Sequence, residues 1–262
     1  MKSASCRLAA LVCFFALPVP AAALDSVAEI EACMKANRPT GSSIQTIEME
    51  TRDRVGATRT MRSQIFWQED DQARSQIMLR FEAPPDMRGS SLLMQERKGE
   101  NEMFMYLPEL GRVRRVSRHM MSGSMFGTDF TYEQFEWLQG FAENQSSERL
   151  PDADLDGRPA YLIESVPGSE TSEWETVRSY IDHASCVLVK AEFFEKGAKL
   201  RKMLKADPAK ITLEGEIHLA RELVMHDLRD ETQTTVAIAE VELDAKIPRK
   251  MFTTSELERS GR

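Results

Sequence analysis

Along LDSVAEIEACMKANRPTG, residues 24–41, apolar side chains recur at Val27, Ile30 and Met34. That spacing marks one face of a helix, with Asp25 or Ser26 placed to cap its start and Pro39 and Gly41 to end it. From Ser42 the period changes: SSIQTIEMETRDRV, TRTMRSQIFWQED, RSQIMLRFEAP, SSLLMQERK and NEMFMYLP follow one another as β-type segments, broken at GA, PPDMRG and KGEN. No helix-length spacer separates them, so they are expected to pair as consecutive antiparallel strands of a meander. Within SIQTIEMETR, Ile44, Thr46 and Glu48 share one face while Gln45, Ile47 and Met49 share the other. Apolar residues on both faces imply a strongly curved sheet around something apolar, or else a plain sandwich core.

The segment TYEQFEWLQGFAE returns to helical spacing through Phe135, Leu138 and Phe141, behind a capping box of Thr131 and Gln134. A second β run follows in RPAYLIESVPG, WETVRSYID, CVLVKAEFFEK, KLRKMLKAD, ITLEGEIHLARELVMHDL and TQTTVAIAEVELDAKI. Between helix and β run, ERLPDADLDGRP reads as a connecting loop. The ending IPRKMFTTSELERSGR reads as a short helix, capped by Thr254 or Ser255, with a frayed tail. No internal repeat or low-complexity segment interrupts this order.

Residues 1–23 read as a cleavable secretory signal: Lys2 and Arg7 precede the apolar run Leu8 to Leu17, and PVPAAA supplies small residues at Ala21 and Ala23. The run is too short to span a bilayer, which takes about 20 residues, so an exported, soluble periplasmic protein is expected. Loss of Lys2 and Arg7 takes the net charge from -8 to about -10, which disfavours nucleic acid as a partner. The remaining residues 24–262 suffice for one large β domain, the preferred division, expected as a monomer. Only Cys33 and Cys186 survive removal of the signal. An even pair in an oxidising compartment points to a disulfide, with two buried free thiols as the alternative.

The constellations of an enzyme are missing. His119, His183, His218 and His226 form no HExxH spacing, SMFG is not GxSxG, and the loop from Gly123 to Gly127 lacks GK[ST]. The expectation is a protein that catalyses nothing and carries no metal or cofactor, though it can hold a bound lipid.

Two features remain to be explained. Met103, Met105, Met120, Met121 and Met125 crowd one region, either as gap-fillers of a β core or as a surface for apolar partners of varied shape. Arg112, Arg114 and Arg118 fall on one face of an extended segment, with Arg115 on the other beside Val113. Such charges either protect an edge strand from aggregation or form a cationic rim for an anionic headgroup or an acidic partner.

The stretch MYLPELGRVRRVSRHMMSGSMFGTDFTYEQF resembles the diagnostic segment of the LolA-like outer-membrane lipoprotein-sorting proteins, with looser likeness in RPTGSSIQTIEMET, PPDMRGSSLL, IDHASCVLVKAEFFEK and IPRKMFTTSELER. The resemblance implies a mainly β (α+β) fold: a curved, incompletely closed antiparallel barrel of about eleven strands, with helices at its mouth and an apolar cavity for acyl chains. Arg112, Arg114, Arg115, Ser122, Gly123, Gly127, Asp129, Phe130 and Tyr132 match its pattern. Asp129 is a candidate cap of the next helix, and Met120 to Phe130 a candidate lid hinged at Gly123 and Gly127. Met103, Met105, Met125, Phe126, Phe130 and Tyr132 are then the candidate lipid-binding residues, and Arg112, Arg114 and Arg118 the headgroup or partner rim. Two roles fit the resemblance. One is a carrier of lipid or lipoprotein acyl chains, serving the outer membrane or an inner-membrane transporter of the resistance-nodulation-division type. The other is a sensor that binds lipoproteins and contacts an anti-sigma factor.

Overall fold

The structure is a computed structural model that describes residues 24–98, 101–141 and 145–260; the expected signal, residues 1–23, lies outside them. Helix α1 (Val27–Ala36) begins on a capping box in which Ser26 accepts the Glu29 N–H and Glu29 reaches back to the cap. The first meander comprises β1 (Ser42–Arg52), β2 (Thr58–Glu69), β3 (Ser75–Ala83), β4 (Ser91–Gln95), β5 (Glu102–Leu107) and β6 (Arg112–Arg115). Helix α2 (Tyr132–Leu138) separates it from β7 (Ser146–Leu155), β8 (Arg158–Val166), β9 (Trp174–Asp182), β10 (Leu188–Glu195) and β11 (Lys199–Ala206). A small hairpin of β12 (Ile211–Glu214) and β13 (Ile217–Ala220) precedes β14 (Glu222–Asp227), β15 (Thr232–Leu243) and the terminal α3 (Thr254–Ser260).

Thirteen of these strands form one sheet in the order β6-β5-β4-β3-β2-β1-β15-β14-β11-β10-β9-β8-β7. Every pairing is antiparallel, and β1 against β15 joins the two meanders, with Met49 opposite Val236. The edges β6 and β7 do not pair with each other, so the sheet curls without closing. Register shifts at Arg62/Ser63, Thr46/Ile47 and Phe193/Phe194 add local twist and bend. Met103 and Met105 of β5 share one apolar cluster with Ala191 and Phe193 of β10, far along the sheet order, so the sheet curves around that face.

The β1 alternation has its cause here. Ile47 and Met49 face the concave cluster, while Ile44 packs on the convex one with Phe66, Met78, Leu93 and Tyr106. The convex cluster is covered by the C-terminal segment through Phe252 and Leu257, and Gln95 donates to the Phe252 carbonyl (3.0 Å). The first meander therefore buries apolar side chains on both faces, each contributing about 1.5–3 kcal/mol.

Two expectations are corrected. ERLPDADLDGRP is mostly β7, an edge strand whose ladder skips between Leu150 and Ala153; Pro151 is tolerated there because an edge strand needs no donor on its outer side. The terminal helix takes its cap one residue earlier than expected, where Thr253 Oγ1 accepts the Glu256 N–H (3.3 Å).

Candidate functional site

The segment after β6 folds onto the concave face. Val116 is buried in the same cluster as Met103 and Met105, and residues 118–120 form a 3-10 turn. A tight hairpin follows, closed by the Met125 N–H donating to the Phe130 carbonyl (2.8 Å) and by Ser124 bridging Thr131. Its tip turns at Phe126 (φ 54°) and Gly127 (φ 75°), successive left-handed residues as a tight hairpin turn demands. Glycine is free to do this; an aromatic residue is not, and its cost is of order 1–3 kcal/mol. Packing holds Phe126 there: its ring lies 4.8 Å from that of Phe81 and 6.4 Å from that of Tyr132, centroid to centroid.

Met125, Phe126, Phe130 and Tyr132 are each buried, and all join Met103, Met105, Phe135 and Phe141 in the concave cluster. The Tyr132 hydroxyl donates weakly to the Met105 sulfur (3.5 Å), and burial pushes its pKa up. All six sequence-predicted lipid-binding residues are thus brought together. Residues the sequence did not nominate complete the wall: Trp174 and Trp137 flank Phe193, their ring centroids 5.3 and 5.4 Å from it. Helical and strand periods flag such positions as core, but not as this face. The resemblance implied an apolar cavity; in this structure the hairpin's Met125, Phe126 and Phe130 pack against the apolar concave face. A hollow of about 320 Å³ beside the hairpin tip is lined by Arg52, Asp53, Arg59, Asp129 and Thr232 among others.

Asp129 does not cap α2; Thr131 does, with Gln134 completing the expected box. Asp129 instead fastens the hairpin to the sheet. Its carboxylate accepts the Thr234 hydroxyl (2.6 Å) and the Thr232 hydroxyl, and its N–H donates to Thr234 Oγ1 (2.8 Å). Lys202 Nζ donates to the Asp129 carbonyl (2.6 Å), and burial lowers the pKa of this lysine. The alternation Thr232-x-Thr234 was the available signal for this anchor, invisible without knowing which segment crosses β15. Of the two proposed hinges only Gly127 has left-handed backbone; Gly123 does not, and a Cβ there would press on the Met120 carbonyl at 3.1 Å.

The cationic rim is partly as expected. Arg112 and Arg114 stand opposite Leu107 and Met105, hence on the concave side at the sheet edge, while Val113 stands opposite Tyr106 of the convex cluster. Arg118 is a correction: the strand ends at Arg115, and Arg118 belongs to the following 3-10 turn, off the shared strand face. Cys33 and Cys186 form a disulfide with Cα atoms 5.8 Å apart. It joins α1 to the turn between β9 and β10, whereas the sequence placed Cys186 on a strand. Among the described residues no cluster of His, Cys, Asp and Glu could hold a metal, and no helix is long and apolar enough to cross a membrane.

A curled, unclosed antiparallel sheet with an apolar concave face covered by a crossing segment defines the LolA-like class of fold. The chain is similar to an outer membrane lipoprotein-sorting protein domain from Vibrio parahaemolyticus, with TM-score 0.79, 23% identity, and 88% of this chain and 97% of that one covered. It is also similar to a DUF1329 family protein from Desulfovibrio piger (TM-score 0.80, 18% identity, covering 87% and 96%). A third likeness is to a LolA superfamily protein from Nitrosomonas europaea (TM-score 0.67, 16% identity, covering 87% and 96%). No curated protein matches the chain in sequence. Residues 73–259 match a family model described as "Uncharacterized protein", and the chain belongs to that family.

Proposed function

We propose that the protein is a periplasmic carrier, exported by the leader at residues 1–23, whose single domain 24–262 binds acyl chains of a lipid or lipoprotein on its concave face. It shuttles this cargo toward the outer membrane or a membrane transporter of the resistance-nodulation-division type, and it catalyses no reaction. One observation carries the reading: a Met- and Phe-rich hairpin with a strained Phe126 fills the concave face of an open sheet and is fastened by polar bonds at Asp129. An acyl chain offers the same apolar contacts as Met125, Phe126 and Phe130, so it takes their place when the hairpin swings out. Burying about ten methylenes supplies roughly 8 kcal/mol gross, enough to offset ordering costs and give useful affinity. Methionine lining suits chains of varied shape. Arg112 and Arg114, on the concave side of the edge, meet an anionic headgroup.

The test is organic extraction and mass spectrometry of gently purified periplasmic protein, with titration of a fluorescent fatty acid. A co-purifying lipid, or saturable uptake of the probe, is expected. Protein that is lipid-free and takes up no probe overturns the reading.

A further inference from the structure

The edge strand β6 pairs with β5 on one side only. Its register and the bond from the Val116 N–H to the Met103 carbonyl (2.8 Å) fix which backbone groups are used. In an antiparallel ladder the bonded pairs alternate, so Arg112, Arg114 and Val116 point their backbone groups inward to Leu107, Met105 and Met103. The N–H and C=O groups of Val113 and Arg115 therefore face outward, where they can pair with another strand.

The side chains along this edge have one sign. Arg112, Arg114 and Arg115 are all exposed, on a chain whose formal net charge is -8. Arg115 has a single long ion pair, with Glu102 at 3.8 Å, and no ion pair among the described residues engages Arg112 or Arg114. Leu110, at the turn leading into β6, is 41% exposed. Arginines on an edge repel a second copy of the same strand, which protects against self-pairing. The same row attracts an extended segment carrying carboxylates, and directional backbone groups distinguish such a segment from a merely anionic surface. Position adds a consequence: β6 ends one residue before Val116, where the chain enters the concave cluster and leads to the hairpin.

We propose that the outer edge of β6 is a docking strand for an extended acidic segment of a partner protein, which adds to the sheet beside Val113 and Arg115. The inference rests on the carrier reading only in identifying that partner with the receiver or donor of cargo. Docking there grips the chain next to the segment that covers the site, which ties partner engagement to cargo release.

The test uses the intact mature protein and a fluorescent peptide of about eight residues alternating Glu and Val, a usual strand length. Three controls accompany it: a Lys-for-Glu version, a version N-methylated at alternate amides, and phosphatidylglycerol vesicles. Binding of the acidic peptide alone is expected, weakened about tenfold by R112E/R114E. Val113→Pro removes one outward donor without touching the β5 bonds, so it also abolishes peptide binding while fatty-acid uptake persists. Circular dichroism melts verify that each variant is folded. Equal binding of the N-methylated peptide, vesicle binding without peptide binding, or no effect of either variant overturns the proposal. Peptide binding by a protein that takes up no fatty acid keeps this inference and removes the carrier reading; the converse result does the opposite.

Discussion

The carboxylate of Asp129 accepts the Thr234 hydroxyl at 2.6 Å, and Thr234 is wholly buried on the strand that joins the two meanders. One acid in the crossing segment thereby pins the apolar hairpin to the middle of the sheet. Asp129→Ala leaves the Thr234 hydroxyl without its acceptor, and a buried polar group so stranded costs about 1–3 kcal/mol. The expected outcome is a lower denaturation midpoint together with faster uptake of a fluorescent fatty acid, because the covering hairpin is released. Stopped-flow uptake beside urea melts checks both; lost stability with unchanged uptake would mean that the anchor does not govern access.

Phe126 separates lid from core. Phe126→Asp places a charge against the Phe81 and Tyr132 rings, so the hairpin detaches. As a lid residue it lies outside the cooperative sheet: amide exchange accelerates over residues 121–130 while β3 stays protected, and fatty-acid uptake speeds up as it does in Asp129→Ala. Hydrogen exchange read by mass spectrometry distinguishes the cases. Acceleration across β2 to β4 would show that Phe126 belongs to the core and that nothing opens.

These contrasts mark what a linear pattern can carry. Alternation in β1 and the switch to helical spacing at Phe135 are local, and so were legible. The Thr131–Gln134 box was legible because both partners lie within one turn. Strand β7 was missed because Pro151 and its acids are loop signals unless the strand is known to be an edge, which is a property of the sheet order. The Asp129 anchor joins residues about a hundred positions apart, and nothing in TDFT indicates that its acid reaches Thr232 and Thr234 rather than the helix behind it. The six apolar candidates were legible as a group through the family resemblance; that they already occupy the concave face is a fact of packing.

Glu133, in the first turn of α2, gives the site a pH dependence. Burial raises its pKa above the ordinary value of 4.5; a hydrogen bond with Ser172 opposes this and the charge of Glu173 adds to it. One carboxylate oxygen is buried without a partner. A carboxyl whose folded pKa is raised binds more protons folded than unfolded, so stability falls as pH rises from the unfolded value through the folded one. Glu133→Gln removes this penalty. The variant is expected to melt above the wild type at neutral pH, with the gap closing as the pH drops toward 4.5, the unfolded value. Thermal melts across that window decide the matter, and a gap that persists in acid would assign the effect to something other than ionisation.

The bridge between Cys33 and Cys186 closes 153 positions of chain and ties α1 to the turn that joins β9 to β10. For a loop of that length the chain-entropy relation gives about 5 kcal/mol, an upper figure because any native strain subtracts from it. The helix has little else to hold it: Ile30 is its single fully buried side chain, packing with Tyr161, Ile163 and Ile181, and Asn37 donates to the Ser185 carbonyl (2.6 Å). Reduction should therefore lower the denaturation midpoint substantially and expose α1 to proteolysis before the sheet, and Cys33→Ser with Cys186→Ser should reproduce both effects. The helix covers the same face of the sheet as the hairpin, since Ile181 and Val177 share one side of β9. Its loss consequently widens the site at the β7 end while leaving the Asp129 anchor intact, and the reduced protein should take up a bulkier fluorescent lipid than the oxidised one. Mass measurement after alkylation, with and without prior reduction, establishes the starting state. Two thiols that alkylate freely in the unreduced, denatured protein would remove the bridge and every consequence drawn from it.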